Sequence, residues 1–460
     1  MRRNMKKLCS LLLGASLCLG LAACGGGSNQ GSPSGQESQG GQGTEGTQKA
    51  DGSGQESQGG ESPQEGFLEN VEGLPETLDN PDISIVYWYN QDQYAYDTSK
   101  NENVYDPILE AVPYFEAKYG GKVNVIYAAW GDMLATVTAQ QNSGDAPDLF
   151  EVYDETLYSV ILSGVATPLD DLTTDADYSY YDVDKELFSW KGSVYAIPLK
   201  PYTRYIMFNR DLFDLEGMKA PDELFQEGNW NWSTFRDACR QLTKATDGET
   251  SQLGYGSHEE SILWFMWANG GSLLNVDTAS GEVSSNLGAA PVQNTLNYLI
   301  EMRDTILWNR DDNMWGWFDN GLMGMICGKE YPVDLPFDTG MVPFPVGDDY
   351  SGKNKVVYPQ AMAVPSGAKN PQGAVAFMRI VNELQKAVGD QKEANRIGRE
   401  NYDMIYGEDV KTVYAYDKGL DDIQTIIAEI VNYMGDGVPA STINSTMDPV
   451  IQAQINLMYK

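Results

Sequence analysis

The chain has 460 residues, with 66 Asp and Glu against 31 Lys and Arg, a formal charge of −35, one histidine and five cysteines. A body this acidic excludes attraction to nucleic acid or an anionic lipid surface by charge, and it favours a neutral or cationic ligand. Its length suits two domains once a tract near the N-terminus that cannot fold is set aside.

MRRNMKK carries Arg2, Arg3, Lys6 and Lys7, and the apolar run LCSLLLGASLCLGLAA behind it is about 16 residues long. Spanning a bilayer takes about 20 apolar residues. A basic head, a short apolar run and small residues at its end therefore describe a secretory leader over 1–23. The ending Leu-Ala-Ala-Cys resembles a bacterial lipobox, which implies cleavage before Cys24 and attachment of a diacylated lipid, with palmitate or similar chains, to its sulfur. Loss of the leader's four cations takes the charge to −39. Residues 24–66 are Gly, Ser, Gln and Glu with hardly an apolar side chain, a composition that buries nothing. As a flexible coil of about 40 residues this tract reaches on the order of 35 Å. No later run is apolar for long enough to cross a membrane, so lipid is the expected attachment.

The first strand is expected in PDISIVYWYN. A helix follows in VYDPILEAVPYFEAKYG, where Ile108, Leu109, Val112, Phe115 and Tyr119 recur at helical spacing. Pro107 suits its first turn, and Pro113 predicts a kink. GGKVNVIYAAW reads as a second strand, GDMLATVTAQQNSG as a helix and APDLFEVY as a third strand. DETLYSVILSGV reads as a helix opened by acidic caps. Strands alternating with helices predict a parallel α/β sheet. Beyond SVYAIPLKPYTRYIMFNRDLF the pattern turns mostly helical, with helices opening at NWNWSTF, HEESILWF and APVQNTLNYL. VVYPQAMAVPSGAKNPQGAVAFMRIVN pairs a strand with a helix, and helices run on to Lys460. No internal repeat is visible.

Catalytic and metal signatures are scarce. With His258 as the sole histidine there is no H-E-x-x-H, and Cys239 and Cys327, the cysteines of the folded part, cannot build a structural zinc site. Phe235, Ala238, Cys239 and Leu242 share a helical face, which predicts a buried free thiol rather than a Cys239–Cys327 bridge. There is no G-x-S-x-G, no phosphate-binding G-x-x-x-x-G-K-[ST] and no G-x-G-x-x-G. DDLTTDADYSYYDVDKE lacks the spacing of a calcium loop and reads as caps and a solvated face. No metal or cofactor is expected. Paired carboxylates stay open as the signature of a glycan-cleaving enzyme, because 66 acidic residues allow many pairs.

The positive signal is aromatic: 10 Trp and 27 Tyr, several beside turns in VYWYNQ, YAAWG, EVYDE, KPYTRY, ILWFMW and WGWF. Sugars offer flat C–H faces and rings of hydroxyls, so their sites pair aromatic platforms with amides and carboxylates. In open α/β sheets ligands bind at the carboxyl ends of strands. Tyr89-Asn90-Gln91 and Tyr153-Asp154-Glu155 fit that edge best.

GDAPDLFEVYDETLYSVILSGVATPLDDL resembles the G-D-x-P-D strand, helix and P-L-D turn of family 1 extracellular solute-binding proteins, to which the maltose-binding protein belongs. SWKGSVYAIPLKPYTRYIMFNRDLF and the following NWNWSTF are similar to that family's G-K-x-Y-x-x-P, Y-N-K-D-L-F and T-W-x-E-F block. NGGSLLNVDTASGEV, FDNGLMGMICG, GMVPFPVG and AMAVPSGAKNPQGAVAFM follow in the family's order, so the likeness runs from about residue 82 to at least 385. Phe208 stands for the usual Tyr, Arg210 for the usual Lys, and WNWSTF lacks the acid; these departures bear on ligand identity rather than fold.

The resemblance implies a two-lobed α/β fold of the periplasmic-binding-protein kind, with a ligand cleft between lobes joined by several strands. The expected boundaries are 67–201 and 344–385 for the first lobe and 202–343 and 386–460 for the second. Crossings are expected near Pro198–Tyr202, near Val342–Pro345 and after about residue 385. It implies hinge closure on a carbohydrate, an oligosaccharide ahead of a monosaccharide, and delivery to an ABC permease with a separate ATPase. The protein is then a monomer held at the outer face of the cell membrane by its lipid. Carried over position by position, the ligand residues are Tyr89, Asn90, Gln91, Trp130, Tyr153, Asp154, Tyr202, His258, Glu260, Trp264, Glu330 and Tyr331, with aromatic rings as platforms and Asn90, Asp154 and Glu260 as hydroxyl partners. A polyamine or a peptide is the alternative ligand for the same fold, and a secreted glycan-cleaving enzyme the alternative activity.

Overall fold

Strand β1 (Ile83–Tyr87) sends Ile83, Ile85 and Tyr87 into one core and Val86 into another. Burial on both faces is what turns such a run into an inner strand of a covered parallel sheet. In the computed structural model, residues 66–178, 185–308, 313–327, 335–350, 352, 354–407, 411–413 and 416–459 are described. Cys24, Glu330 and Tyr331 lie outside them.

Helix α1 (Gln91–Lys100) follows β1 directly. Helix α2 (Pro107–Tyr119) starts at Asp106, whose carboxylate accepts from Leu109 N at 2.8 Å, and stops at Gly120, whose φ of 74° favours a residue without Cβ. The kink expected at Pro113 does not interrupt it: Pro113 faces solvent, where water can take the carbonyl that proline leaves unpaired. Strand β2 (Val123–Tyr127) pairs parallel with β1, from Ile83 opposite Val123 to Tyr87 opposite Tyr127. Helix α3 (Met133–Ser143) leads to β3 (Leu149–Tyr153), parallel to β1 on its other side and buried throughout. Helix α4 (Leu157–Leu162) is not capped by its acids; Thr156 stands at the N-cap with no side-chain cap bond, and Asp154 turns into the interior.

The first sheet runs in the order β2, β1, β3, Gln360–Ala363, Ala196–Pro198, with Gln360–Ala363 antiparallel to both neighbours. Its two faces carry separate cores, one around Phe115 and Phe377, the other around Phe150 and Tyr158.

A second sheet corrects the mostly helical expectation beyond residue 213. It runs Ile306–Trp308, Glu249–Ser257, Met323–Cys327, Ile206–Asn209, Thr339–Val342. The first three strands are parallel, and the last two are joined antiparallel. Glu249–Ser257 was illegible because its polar, glycine-bearing sequence lacks the β-branched pattern that marks a strand. Its cores gather Phe235, Tyr255, Phe265 and the helices Ile423–Gly435 and Ala440–Met458 on one face, and Met207, Phe318 and Ile405 on the other. Cys239 and Cys327 are buried in this body and form no disulfide.

The connections bring the two sheets edge to edge. The chain leaves the first sheet at Pro198, forms Tyr202–Arg204 and enters the second at Ile206. Pro198 lies at the carboxyl edge of the first sheet, and Ile206 pairs with Cys327 at the carboxyl edge of the second. So short a link holds the two carboxyl edges close together. The return differs from expectation. Val342–Pro345 stays with the second body, where Phe344 is buried and Trp230 Nε1 donates to Pro343 O at 2.8 Å. The chain goes back through Asn354–Tyr358, which pairs with Tyr202–Arg204 and Lys411–Val413 in a small connecting sheet, and reaches the first sheet at Gln360. Helix Pro371–Leu384 completes the first body, and a π-helical turn, Gln385–Gly389, joins it to Asp390–Ile397, whose Ile397 packs in the second.

Candidate functional site

Because β1, β2 and β3 are parallel, the segments after them emerge on one edge: Trp88 and Tyr89, then Trp130, then Tyr153 and Asp154. Trp130 stacks on Tyr153 with centroids 4.3 Å apart, and Trp88 meets Trp130 edge-on at 5.8 Å. The Tyr153 hydroxyl donates to Trp130 O, fixing the pair. Tyr358, at the end of the connecting strand, lies nearly parallel to Tyr153 at 6.3 Å. The result is one aromatic group spanning the carboxyl edge of the first sheet.

The second body supplies the opposite side. Arg204, on the connecting strand, lies over both rings, its guanidinium carbon 4.8 Å from the Tyr358 ring centre and 5.0 Å from that of Trp264. Trp264 belongs to helix Ser261–Ala268, which starts where Glu249–Ser257 ends. His258 meets Trp315 edge-on at 5.5 Å.

Charges fill the space between. Lys418, 3% exposed, reaches Glu155 at 2.7 Å and Glu260 at 3.1 Å, stands 4.0 Å from Asp154 Oδ1 and lies over Tyr358. Its neighbour Asp417 mounts it on the second body, accepting from Trp267 Nε1, Ser272 Oγ, Leu273 N and Leu274 N. Burial pushes the Asp154 carboxyl up to about 7; Lys418 and Arg204 pull against that, and Glu155 and Glu260 add to it. Against the same cost of burial, the Lys418 ammonium and the Gln424 amide hold Glu260 below the usual carboxylate range. Both Asp154 oxygens are buried without a hydrogen-bond partner, as are Arg204 Nε and Trp88 Nε1.

The residues expected from sequence divide unevenly. Trp130, Tyr153, Asp154, Glu260 and Trp264 come together in this cluster, and His258 lies at the same edge of the second sheet. Tyr89 stacks on Trp88 at 5.1 Å and donates to Asp97. Asn90 is spent as the N-cap of α1, accepting from Gln93 N at 2.8 Å, and Gln91 is exposed on that helix. Tyr202, 54% exposed, lines a cavity with Tyr87, Trp88, Asp106, Lys200 and Gln360, beside the aromatic group rather than within it. The sequence reading missed Trp88, Arg204, Tyr358 and Lys418. Trp88 and Arg204 lie within the aromatic runs VYWYNQ and KPYTRY, whereas Lys418 carries no local signal. Phe208 is core, and Arg210 pairs with Asp222 at 2.6 Å. Among the described residues no cluster of three or more His, Cys, Asp or Glu could hold a metal ion, and no helix is long and apolar enough to cross a membrane.

A sequence profile of the family described as bacterial extracellular solute-binding protein matches residues 97–382. A binding protein of Brucella abortus (strain 2308) is 27% identical over 174 residues, 36% of this chain; the chain spans 40% of the length of that curated relative. Among solved structures, the ABC substrate-binding protein from Listeria monocytogenes in complex with cycloalternan superposes with a TM-score of 0.61 at 17% identity, over 83% of this chain and 100% of its own. The extracellular solute-binding protein from Staphylococcus aureus in complex with maltose gives 0.63 at 13% identity, again over 83% and 100%. At these identities the likeness speaks for the two-lobed fold.

Proposed function

Because this chain belongs to the bacterial extracellular solute-binding protein family, we propose that it captures a carbohydrate, an oligosaccharide ahead of a monosaccharide, between its two lobes and delivers it to an ABC permease driven by a separate ATPase. The observation that carries this reading is the aromatic group Trp88, Trp130, Tyr153 and Tyr358 at the carboxyl edge of the first sheet, opposed by Trp264 and bordered by buried carboxylates. Stacked rings beside acceptor-only groups are the surface a sugar ring needs. The sugar ligands of structural neighbours from Listeria monocytogenes and Staphylococcus aureus support the same class. Lys418 already occupies the cation box formed by Asp154, Glu155, Glu260 and the Tyr358 face, which argues against a polyamine.

Closure of the lobes on the ligand converts occupancy into a shape that a permease can read. Cys24 then serves as the acylated anchor at the outer face of the membrane, and the 24–66 tract as a leash that lets a monomeric binder search without leaving its transporter. Substrate leaves the cleft chemically unchanged, with no turnover.

A thermal-shift screen of the purified chain against maltose, maltotetraose, other mono- and oligosaccharides, spermidine and a peptide mixture tests this. A ligand at 100 times its dissociation constant stabilises by about 2.7 kcal/mol. A shift with a glycan series, and intact glycan recovered afterwards, is the expected result. A shift with spermidine or peptide alone would overturn the ligand class, and shortened glycan would overturn the absence of chemistry.

A further inference from the structure

The two bodies meet in two unlike ways. On the Tyr158 face of the first sheet the contact is dry. There a hairpin of the second body, Leu274–Asp277 and Glu282–Ser285, and the end of its helix Ala440–Met458 pack into the core that holds Trp190 of the first body. The Tyr459 ring centre stands 5.6 Å from that of Trp190 and 6.2 Å from that of Tyr158, and those two meet edge-on at 5.2 Å. Tyr158 is 1% exposed and Trp190 4%. Lys191 N donates to Thr278 O at 2.7 Å, and Thr278 Oγ1 donates to Glu186 at 3.1 Å. Backbone packs as closely as side chains: a Cβ on Gly419 would stand 3.1 Å from Tyr158 Cδ2 and 3.2 Å from Asp154 O.

On the other face of that sheet, where α2 and helix Pro371–Leu384 lie, the bodies face each other across a cavity. Trp88, Tyr105 and Asp106 line it from the first body, Tyr202 from the first crossing, and Glu393 and Tyr406 from the second body. Lys200 ties the two sides there through Asp390 at 2.7 Å, a partly exposed ion pair.

Separation costs differ accordingly. Parting Trp190, Tyr158 and Tyr459 would put three large rings into water. Water readily replaces the partner of a partly exposed ion pair. Domains of one chain move relative to each other unless the surface between them is apolar and well packed. Two lasting attachments, the connecting strands and the ring contact, leave one rotation, about the line that joins them.

Resting on the lobe-closure reading above, we infer that the contact of Tyr158 and Trp190 with Tyr459 is a standing joint, packed throughout opening and closing, so that the bodies part on the cavity side alone and solute enters past Trp88, Tyr105 and Tyr202. The hairpin and the last turn of helix Ala440–Met458 are thereby a bearing surface for the motion.

Spin-label distances in the full chain test this, with Cys24→Ser so that introduced cysteines alone react; Cys239 and Cys327 are buried. Ser163→Cys with Ser280→Cys spans the joint side, and Glu102→Cys with Glu400→Cys spans the cavity side; all four positions are exposed. The joint pair gives one narrow distance, the same with and without saturating maltotriose. The cavity pair gives a broad distribution without sugar and a shorter, narrower one with it. Trp190→Ala and Tyr459→Ala, made together, broaden the joint pair. A joint pair that shifts with sugar, or is as broad as the cavity pair before sugar is added, overturns the inference. An unchanged joint pair in the double variant overturns it too; if that variant does not fold, the two pairs in the otherwise native chain decide. Should no carbohydrate bind, the carbohydrate reading fails by itself, and the sugar-free distances still judge the joint: narrow there and broad at the cavity upholds it, and any other pattern removes it.

Discussion

Asp154 concentrates the chemistry of the site in one side chain. Its carboxyl, pushed up to about 7 by burial, faces Lys418, Arg204, Glu155, Glu260, Tyr153 and Tyr358. A ligand hydroxyl that donates to the carboxylate binds the ionised form and therefore lowers that pKa in the complex. Affinity is then full above about pH 8 and falls as pH drops through 7, approaching about tenfold per unit well below it. Asp154→Asn should weaken binding and flatten the profile. Titration of the maltotriose complex from about pH 5.5 to 8.5 reads both effects; an equally steep profile in the variant would move the titrating group elsewhere.

At the scale of the element, the short turn Asp417–Gly419 matters more than its length suggests. Asp417 is 0% exposed and accepts four hydrogen bonds at 2.7 to 2.9 Å, from Trp267 Nε1, Ser272 Oγ, Leu273 N and Leu274 N. Those bonds seat the turn so that Lys418 reaches across to Glu155 beyond β3 and to Glu260 at the head of its own body's helix. Asp417→Ala strands buried donors and should cost about 3 kcal/mol or more, measured by urea unfolding. A loss no larger than that of an exposed alanine substitution would mean water replaces the carboxylate. The π-helical turn Gln385–Gly389 is a second such element. Lys200, at the first crossing, pairs with Asp390 just after that turn at 2.7 Å, and Gln385 donates to the same carboxylate. π-turns often accompany functional joints, and this one lies where the chain passes between the bodies.

For the whole molecule, three connections tie two sheets whose carboxyl edges meet. Motion about the connecting strands Tyr202–Arg204 and Asn354–Tyr358 would open or close the space around Tyr358 with little change inside either body. Small-angle scattering of the purified chain should therefore report a smaller radius of gyration with saturating ligand than without. An unchanged radius with confirmed binding would point to a site accommodated without lobe closure.

The first body was largely legible because its parallel strands, buried on both faces, carry dense runs such as ISIVY and LFEVY, and because Pro107, Gly120 and Gly144 punctuate its helices. The positions of Trp130, Tyr153 and Asp154 were legible for the same reason: an aromatic or an acid at the end of such a strand has a definite place on the sheet's carboxyl edge. The second sheet escaped because Glu249–Ser257 is specified by pairing with Met323–Cys327 rather than by its own alternation. The return crossing escaped because Val342–Pro345 and Asn354–Tyr358 are both extended and apolar, and only packing tells them apart. Local sequence, then, determined the charge, the α/β class and the aromatic residues of the first sheet's carboxyl edge, and it alone carries the proposal of a leader and tether. The contacts of Arg204 with Tyr358 and Trp264, the bridge of Lys418 and the unpartnered oxygens of Asp154 were decided by tertiary structure alone. They join residues as far apart as Asp154, Glu260 and Lys418, and no pattern along the chain encodes which buried charge will face which.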